Sequence, residues 1–224
     1  MLRSPAPTSR DELMTLAHSL AGLTVAEIAA KHHLEVPENL QREKGWVGQL
    51  LEVALGCEAG SSPDADYPDL GVELKTLPLD SSGYPLESTY VSVVPLTDLH
   101  RIHWENSVVK AKLSCVLWVP TLSEVTQSLI DRKIGTPLLW TPTADELRLL
   151  RQDFEEHIEN IALGGVESIS AKHGNVLQIR PKAADSKKVT LAVGRQGSLT
   201  KTLPRGFYLR PAFTASLISQ YYKT

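Results

Sequence analysis

Cysteine is scarce in this chain. Cys57 and Cys115 both sit in apolar runs without CxxC spacing, which argues against a disulfide framework or a thiolate zinc site and fits reducing, cytoplasmic conditions. No stretch approaches the ~18 consecutive apolar residues of a membrane span, and "MLRSPAPTSRDELM" lacks the apolar core of a signal peptide. A soluble cytoplasmic protein without a membrane partner is therefore expected. Nucleotide-driven chemistry is unsupported, because neither a GxxxxGK loop followed by Ser or Thr nor a GxGxxG fingerprint occurs. GxSxG is missing too, which removes one route to serine catalysis. His32, His33, His103, His157 and His173 show no HxxxH or other metal spacing. His157 is read onto the polar side of its helix, and no histidine is assigned a role.

What is present is an ordinary globular composition, 42% hydrophobic and 22% charged over 224 residues, enough for one large domain or two lobes. The net charge of -3 hides an asymmetry: residues 165–224 carry +8 and residues 1–164 carry -11. A basic final quarter on an acidic body suggests a polyanion-facing surface. Approximate lobes are drawn accordingly within a single domain, 1–164 catalytic and 165–224 basic.

Punctuation along the chain predicts the elements. Residues 1–8 read as a loose tail. Ser9 with Glu12, Thr24 with Glu27 and Thr143 with Glu146 fit the capping-box pattern, so helices begin at each, the last running to Gly164. Pro37 to Lys44 is a polar connector into an apolar helix over Trp46 to Leu55, stopped by Gly56. Strands are expected at Gly71 to Leu77, Thr89 to Val94, Cys115 to Val119 and Pro137 to Trp140, together forming a central mixed sheet. Further short strands are expected at Ser168 to Ala171, Val176 to Arg180 and Phe207 to Arg210, with a final helix after Pro211.

The chemistry concentrates in "DYPDLGVELKTLPL", which spells D-x6-E-x-K with Asp66, Glu73 and Lys75. Side chains two apart on a strand share a face, so Glu73 and Lys75 stand side by side while Val72, Leu74 and Thr76 point the other way. An aspartate from the preceding loop would complete two carboxylates and an ammonium around one point. Hard carboxylate oxygens of this kind hold Mg2+, and a lysine beside them can orient or help deprotonate a water for in-line attack on a phosphodiester. Taken alone, the pattern also fits a solvated strand edge. Glu52 lies in "GWVGQLLEVALG", a helix with almost no polar face. Its charge is either paired, neutralised or metal-bound, or it reaches solvent at the helix edge. Lys110 and Lys112 precede the "CVLWVP" strand, and either could approach the active strand or a scissile phosphate. "LQIRPKAADSKK" offers Gln178, Arg180 and Lys182, and "LPRGFYLR" offers Arg205, Gly206, Phe207, Tyr208 and Arg210. Basic residues fix phosphates, while Arg and Gln read base edges.

"PENLQREKGWVGQLLE", "LGVELKTLPLD", "KAKLSCVLWVP", "GTPLLW", "AKHGNVLQIRPKAA" and "TLPRGFYLR" occur in the order found in the MutH family of methyl-directed mismatch-repair endonucleases, which the chain resembles over most of its length. The resemblance implies a restriction-endonuclease-like α/β fold, with a central mixed β-sheet flanked by helices and two lobes around a DNA cleft. It implies Mg2+-dependent nicking, with one or two ions and Mn2+ as a substitute, 5′ to the G of GATC on the unmethylated strand of hemimethylated DNA. Asp66 and Glu73 match the metal-binding carboxylates and Lys75 the catalytic lysine. Asp64 and Asp69 also neighbour the strand, but the family places its aspartate seven before the glutamate. Glu52 matches an additional acidic residue and Lys112 a basic residue near the active site. Lys44, Arg180, Lys182 and Tyr208 fall in segments matching DNA-contacting loops, Tyr208 matching a residue proposed to sense adenine methylation. Tyr90 stands where another member carries phenylalanine. The implied partners are double-stranded DNA with hemimethylated or unmethylated GATC, MutL as direct activator, with the C-terminal lobe and last helix as its candidate surface, and MutS acting through MutL. A stand-alone GATC-specific restriction endonuclease and a non-catalytic DNA-binding module are the competing expectations.

Overall fold

Small polar residues one turn ahead of an apolar stripe start the helices as expected, because a side-chain oxygen there satisfies an amide that the helix leaves unpaired. The computed structural model describes residues 1–37, 45–57, 64–123, 128–170, 172–182 and 188–222. Thr24 and Thr143 both close full capping boxes, at the heads of α2 (Val25–Lys31) and α5 (Ala144–Ala162). At α1 (Arg10–Leu20) only half of the box forms. Ser9 accepts from the Glu12 amide, but the Glu12 carboxylate reaches past it to the amide and hydroxyl of Thr8, at 2.7 and 2.8 Å.

The chain divides into two compact units, neither continuous in sequence: residues 1–87, 114–141 and 221–224 form the first, 88–113 and 142–220 the second. The lobes drawn on charge divide the chain differently, since residues 88–113 and 142–164 group with the basic C-terminal segment.

In the first unit, β1 (Glu73–Leu79) runs parallel to β3 (Val116–Leu122), with Glu73 opposite Val116. A parallel pair needs a crossover, and residues 80–115 provide it. β3 also pairs antiparallel with β4 (Lys133–Ile134) and β5 (Leu138–Trp140), so this sheet is mixed. Val116 to Thr121 are all buried, as expected of an apolar run at a sheet centre. Leu13 of α1, Ile28 of α2 and Leu50 and Leu51 of α3 (Trp46–Ala54) pack with Val72, Leu74, Leu117 and Val119. Each such side chain contributes about 1.5–3 kcal/mol on burial. The N-terminal residues are not loose. Leu2 donates its amide to His32 O at 2.8 Å, Ser4 donates to Val53 O at 3.1 Å, and Arg3 hydrogen-bonds the Cys57 carbonyl. Gly56 makes room for this strap: its φ is +68°, and a Cβ there would lie 2.2 Å from Pro5 O.

In the second unit, β2 (Thr89–Val93), β9 (Arg205–Leu209) and β6 (Leu177–Pro181) form an antiparallel sheet in the order β2-β9-β6. This corrects the expectation that the Thr89 strand joins the Glu73 sheet. Both strands mix buried and partly exposed positions, and nothing local specifies the partner. β7 (Thr190–Val193) and β8 (Leu199–Thr202) form a separate ribbon. The expected strand at Ser168 to Ala171 is replaced by a 3-10 turn over Val166–Ser168, and Ala171 lies outside the described residues. α4 (Val108–Leu113) precedes β3, and α6 (Pro211–Tyr221) follows β9.

One face of the β2-β9-β6 sheet is core. Phe207 of β9 meets Phe154 of α5 with centroids 5.5 Å apart, and Trp104 packs edge-on to Phe154 at 5.7 Å. Beneath them Asp153, fully buried, accepts from the amides of Asn175, Val176 and Leu177 at 2.6 to 2.8 Å. His157, expected on the polar side of α5, is buried at 3% exposure instead, because one helical turn past Asp153 it meets the same strand and Leu177 O lies 3.1 Å from its Nε2. Burial lowers its pKa below 6.5. The folded state therefore prefers neutral His157, so its contribution is full above about pH 6.5 and is lost as pH falls through the unfolded value toward the folded one. Urea melts across that range should show a stability decline that is shallower in His157→Gln; parallel slopes would exclude His157 as a source.

Candidate active site

The D-x6-E spacing is produced by a tight turn. Tyr67 and Val72 exchange backbone hydrogen bonds at 2.9 and 3.2 Å across an antiparallel bridge. Between them Pro68–Leu70 form a 3-10 turn, and Gly71 closes it at φ +62°. Pro68 presets φ for the first turn position, and Gly71 supplies the left-handed one. One step beyond that bridge, Asp66 stands opposite Glu73, and directly opposed residues in such a pair face the same side. Asp66 Oδ2 accepts from the Leu74 amide at 2.8 Å, so its carboxylate is fixed at the start of β1.

Glu73 is buried at 1% exposure, and its Oε1 lies 2.5 Å from Lys75 Nζ. The strand's two-residue alternation makes this contact, while Leu74 turns into the core. Glu52, on α3, is half-buried. Its pKa is raised, first by burial and next by the Asp66 carboxylate; Glu73 adds to this, while Arg3 and Lys75 oppose it. Structure thus brings together four of the sequence-predicted residues: Glu52, Asp66, Glu73 and Lys75. It adds Arg3, which sequence reasoning placed in a loose tail and whose position depends on strap contacts that no motif announces.

Mutual repulsion among carboxylates in a partly buried site creates a demand for a cation. Among the described residues no group of three or more His, Cys, Asp or Glu side chains forms a ready-made cage. The two opposed carboxylates fit Mg2+, which keeps several waters and needs only one or two protein carboxylates beside substrate phosphates.

Because the pKa of Glu52 is raised, its contribution to stability is greatest below about pH 4.5, the unfolded value, and is lost as pH rises through the folded value. Glu52→Gln, which keeps the neutral shape, is therefore expected to raise the melting temperature of the metal-free protein, by more at pH 8 than at pH 5. Melting curves that match the parent at both pH values would contradict this. Added Mg2+ should narrow the difference.

The remaining predicted residues lie in the second unit, apart from Lys44, which is outside the described residues. Lys112 is on α4. Lys110, weighed beside it, is committed to Glu105, which also meets Arg151 at 3.8 Å. The other four residues share the sheet face turned away from Phe154. Tyr90 pairs with Tyr208 and Tyr208 with Gln178 across β2-β9-β6, and Arg180 stands opposite Gly206. The tyrosine rings meet edge-on at 5.4 Å. They close over Gly206, where a Cβ would lie 2.9 and 3.0 Å from their ring carbons. Lys182 Nζ lies 3.7 Å from the Tyr90 ring centroid and hydrogen-bonds its hydroxyl, and burial lowers the lysine's pKa. The Arg180 guanidinium lies 5.9 Å from the Tyr208 centroid. Cations stacked on aromatic rings in this way suit both phosphates and base faces. Sequence reasoning missed Ser88, whose hydroxyl accepts from both Gln178 and Arg180. A serine two residues ahead of Tyr90 carries no signal of that kind.

Opposed carboxylates and a lysine at the head of a strand in a mixed sheet flanked by helices define a restriction-endonuclease-like protein. A family model described as "DNA mismatch repair enzyme MutH" matches residues 55–153. The chain is 52% identical over 222 residues to the DNA mismatch repair protein MutH of Shewanella baltica (strain OS155), covering 99% of this chain and 100% of that protein. It is 53% identical over 214 residues to the DNA mismatch repair protein MutH of Shewanella sp. (strain W3-18-1), covering 96% of each. The chain belongs to the MutH family of DNA mismatch repair enzymes.

Proposed function

We propose that this chain is the nicking endonuclease of methyl-directed mismatch repair, cutting the unmethylated strand of a hemimethylated GATC site 5′ to the G. The observation that carries this reading is the Asp66–Glu73 opposition with Lys75 on the Glu73 carboxylate. Asp66 and Glu73 would hold one or two Mg2+ ions, or Mn2+ as a substitute, supplying a Lewis acid for the phosphoryl oxygens and a more acidic bound water. Lys75 has three N–H donors, one of them turned to Glu73, which leaves two to hold the attacking water in line. The water oxygen forms the new bond to phosphorus as the bond to the 3′ oxygen breaks. The products are a 3′-hydroxyl and a 5′-phosphate. Glu52 supports the cation or its water shell from α3, and Lys112 contributes positive charge for the scissile phosphate.

The Tyr90, Arg180, Lys182 and Tyr208 face, together with Lys44, contacts the duplex in this reading, with Tyr208 sensing N6 methylation. Steric and desolvation penalties at that atom work on the ~1–3 kcal/mol scale of a single base contact. MutL is the direct activator, with the C-terminal segment and α6 as its candidate surface, and MutS acts through MutL. The setting is the cytoplasm.

Strand-resolved cleavage of a hemimethylated GATC duplex with Mg2+, with and without MutL, tests the proposal. Nicks confined to the unmethylated strand and stimulated by MutL are expected. Cutting of both strands of an unmethylated site without MutL would identify a stand-alone restriction enzyme. Selective, metal-independent binding without cleavage would identify a binding module.

A further inference from the structure

Ser88 sits one residue before β2 and reaches across the sheet. Its Oγ lies 2.7 Å from Gln178 Nε2 and 3.0 Å from Arg180 Nη1. Both partners can only donate to it, since an amide nitrogen and a guanidinium nitrogen have no lone pair to offer. Two incoming donors fill the two acceptor sites of the hydroxyl, and one valence remains, its own O–H. That proton is directed to no described residue. Gln178 is 4% exposed, so the relay is anchored in the interior, whereas Arg180 is on the surface. The guanidinium is held from a second side by the Tyr208 ring, 5.9 Å from its centroid.

We propose that Ser88 is a specificity-determining residue. Its hydroxyl proton and the Arg180 guanidinium form an oriented donor pair for acceptor atoms on a base edge of the recognised DNA sequence. This rests on the reading of the Tyr90–Tyr208 face as a DNA contact. Orientation is the argument for a base edge over a phosphate. A phosphate accepts hydrogen bonds from many directions, and a solvated arginine would serve it, whereas a base edge presents its acceptors in fixed positions. A guanidinium tied to a serine that is itself tied to a buried glutamine is ordered in advance, which lowers the entropy lost on binding.

The experiment measures equilibrium binding of the full chain to a GATC duplex and to a duplex of equal composition with the site scrambled, with Ca2+ in place of Mg2+. Ser88→Ala is expected to weaken GATC binding about tenfold, the scale of one base contact, and the scrambled duplex by less than about twofold. Ser88→Thr, which keeps the hydroxyl, should retain the parent selectivity. The ratio of the two constants is insensitive to a smaller folded fraction, which lowers both alike. Equal weakening on both duplexes would mean a phosphate contact and overturn the proposal, as would unchanged binding to both. Arg180→Ala separates the two levels of inference. If it keeps full selectivity, the DNA-contact reading falls and the Ser88 role with it. If it loses selectivity while Ser88→Ala keeps it, the Ser88 role alone falls.

Discussion

Glu73→Ala is expected, on the proposed mechanism, to reduce nicking by about a thousandfold or more while leaving DNA binding equal or tighter, because it would remove a charge proposed to organise the metal and the reactive water. The two effects have opposite causes in one carboxylate. Glu73 is buried at 1% exposure beside Asp66 and Glu52, and all three repel an incoming phosphate when no cation is present. Removing one lowers that repulsion, while Lys75, released from its 2.5 Å contact, is left to meet the phosphate. Single-turnover nicking and metal-free binding by the same preparation read the two effects separately. A Glu73→Ala protein that nicks at the parent rate would remove Glu73 from the chemistry. One that loses binding in parallel would indicate a folding defect.

Asp153→Ala should destabilise the second unit by about 3–5 kcal/mol, the cost of leaving several amides unsatisfied at roughly 1–3 kcal/mol for each one that stays buried. The fully buried carboxylate is the acceptor for three consecutive amides, and alanine would leave all of them without a partner. Asp153→Asn keeps one oxygen and should fall between the two. On the proposed reading the effect would reach function, because these amides lead into β6, which positions Gln178 and Arg180. Hydrogen exchange at Asn175 to Ile179 should accelerate more than the melting temperature alone predicts. If Asp153→Ala melts within about 1 kcal/mol of the parent, another acceptor serves these amides and the clamp is dispensable.

Local signals carried well from sequence to structure. Capping boxes at Thr24 and Thr143 and the alternation that pairs Glu73 with Lys75 each need only neighbouring residues, although Gly71, read as the first residue of the strand, instead closes the turn before it. Non-local choices did not carry. The Thr89 strand carries no local mark that separates it from a strand pairing with β1, yet its Tyr90 pairs with Tyr208 on a strand more than a hundred residues later. His157 looked polar because half of its helix is polar; its burial depends on the strand start at Leu177. The N-terminal strap is held by main-chain groups of Leu2 and Ser4, which leave no trace in side-chain pattern. Of the candidate site, the acidic pair and its lysine were legible as spacing, and the Ser88 relay was not, since a hydroxyl's partners are fixed only when three strands meet.

The order of strands has a consequence for synthesis. β9 is the middle strand of its sheet and follows both of its neighbours in the chain, so β2 and β6 leave the ribosome without the neighbour they will share. Until residue 209 emerges, both offer unpaired backbone edges to other chains, the condition under which nascent proteins aggregate. A message truncated a few codons before that point would yield a chain retaining every carboxylate of the proposed nicking centre yet prone to associate with itself, so its loss in a cell would register as missing protein before it registered as missing chemistry.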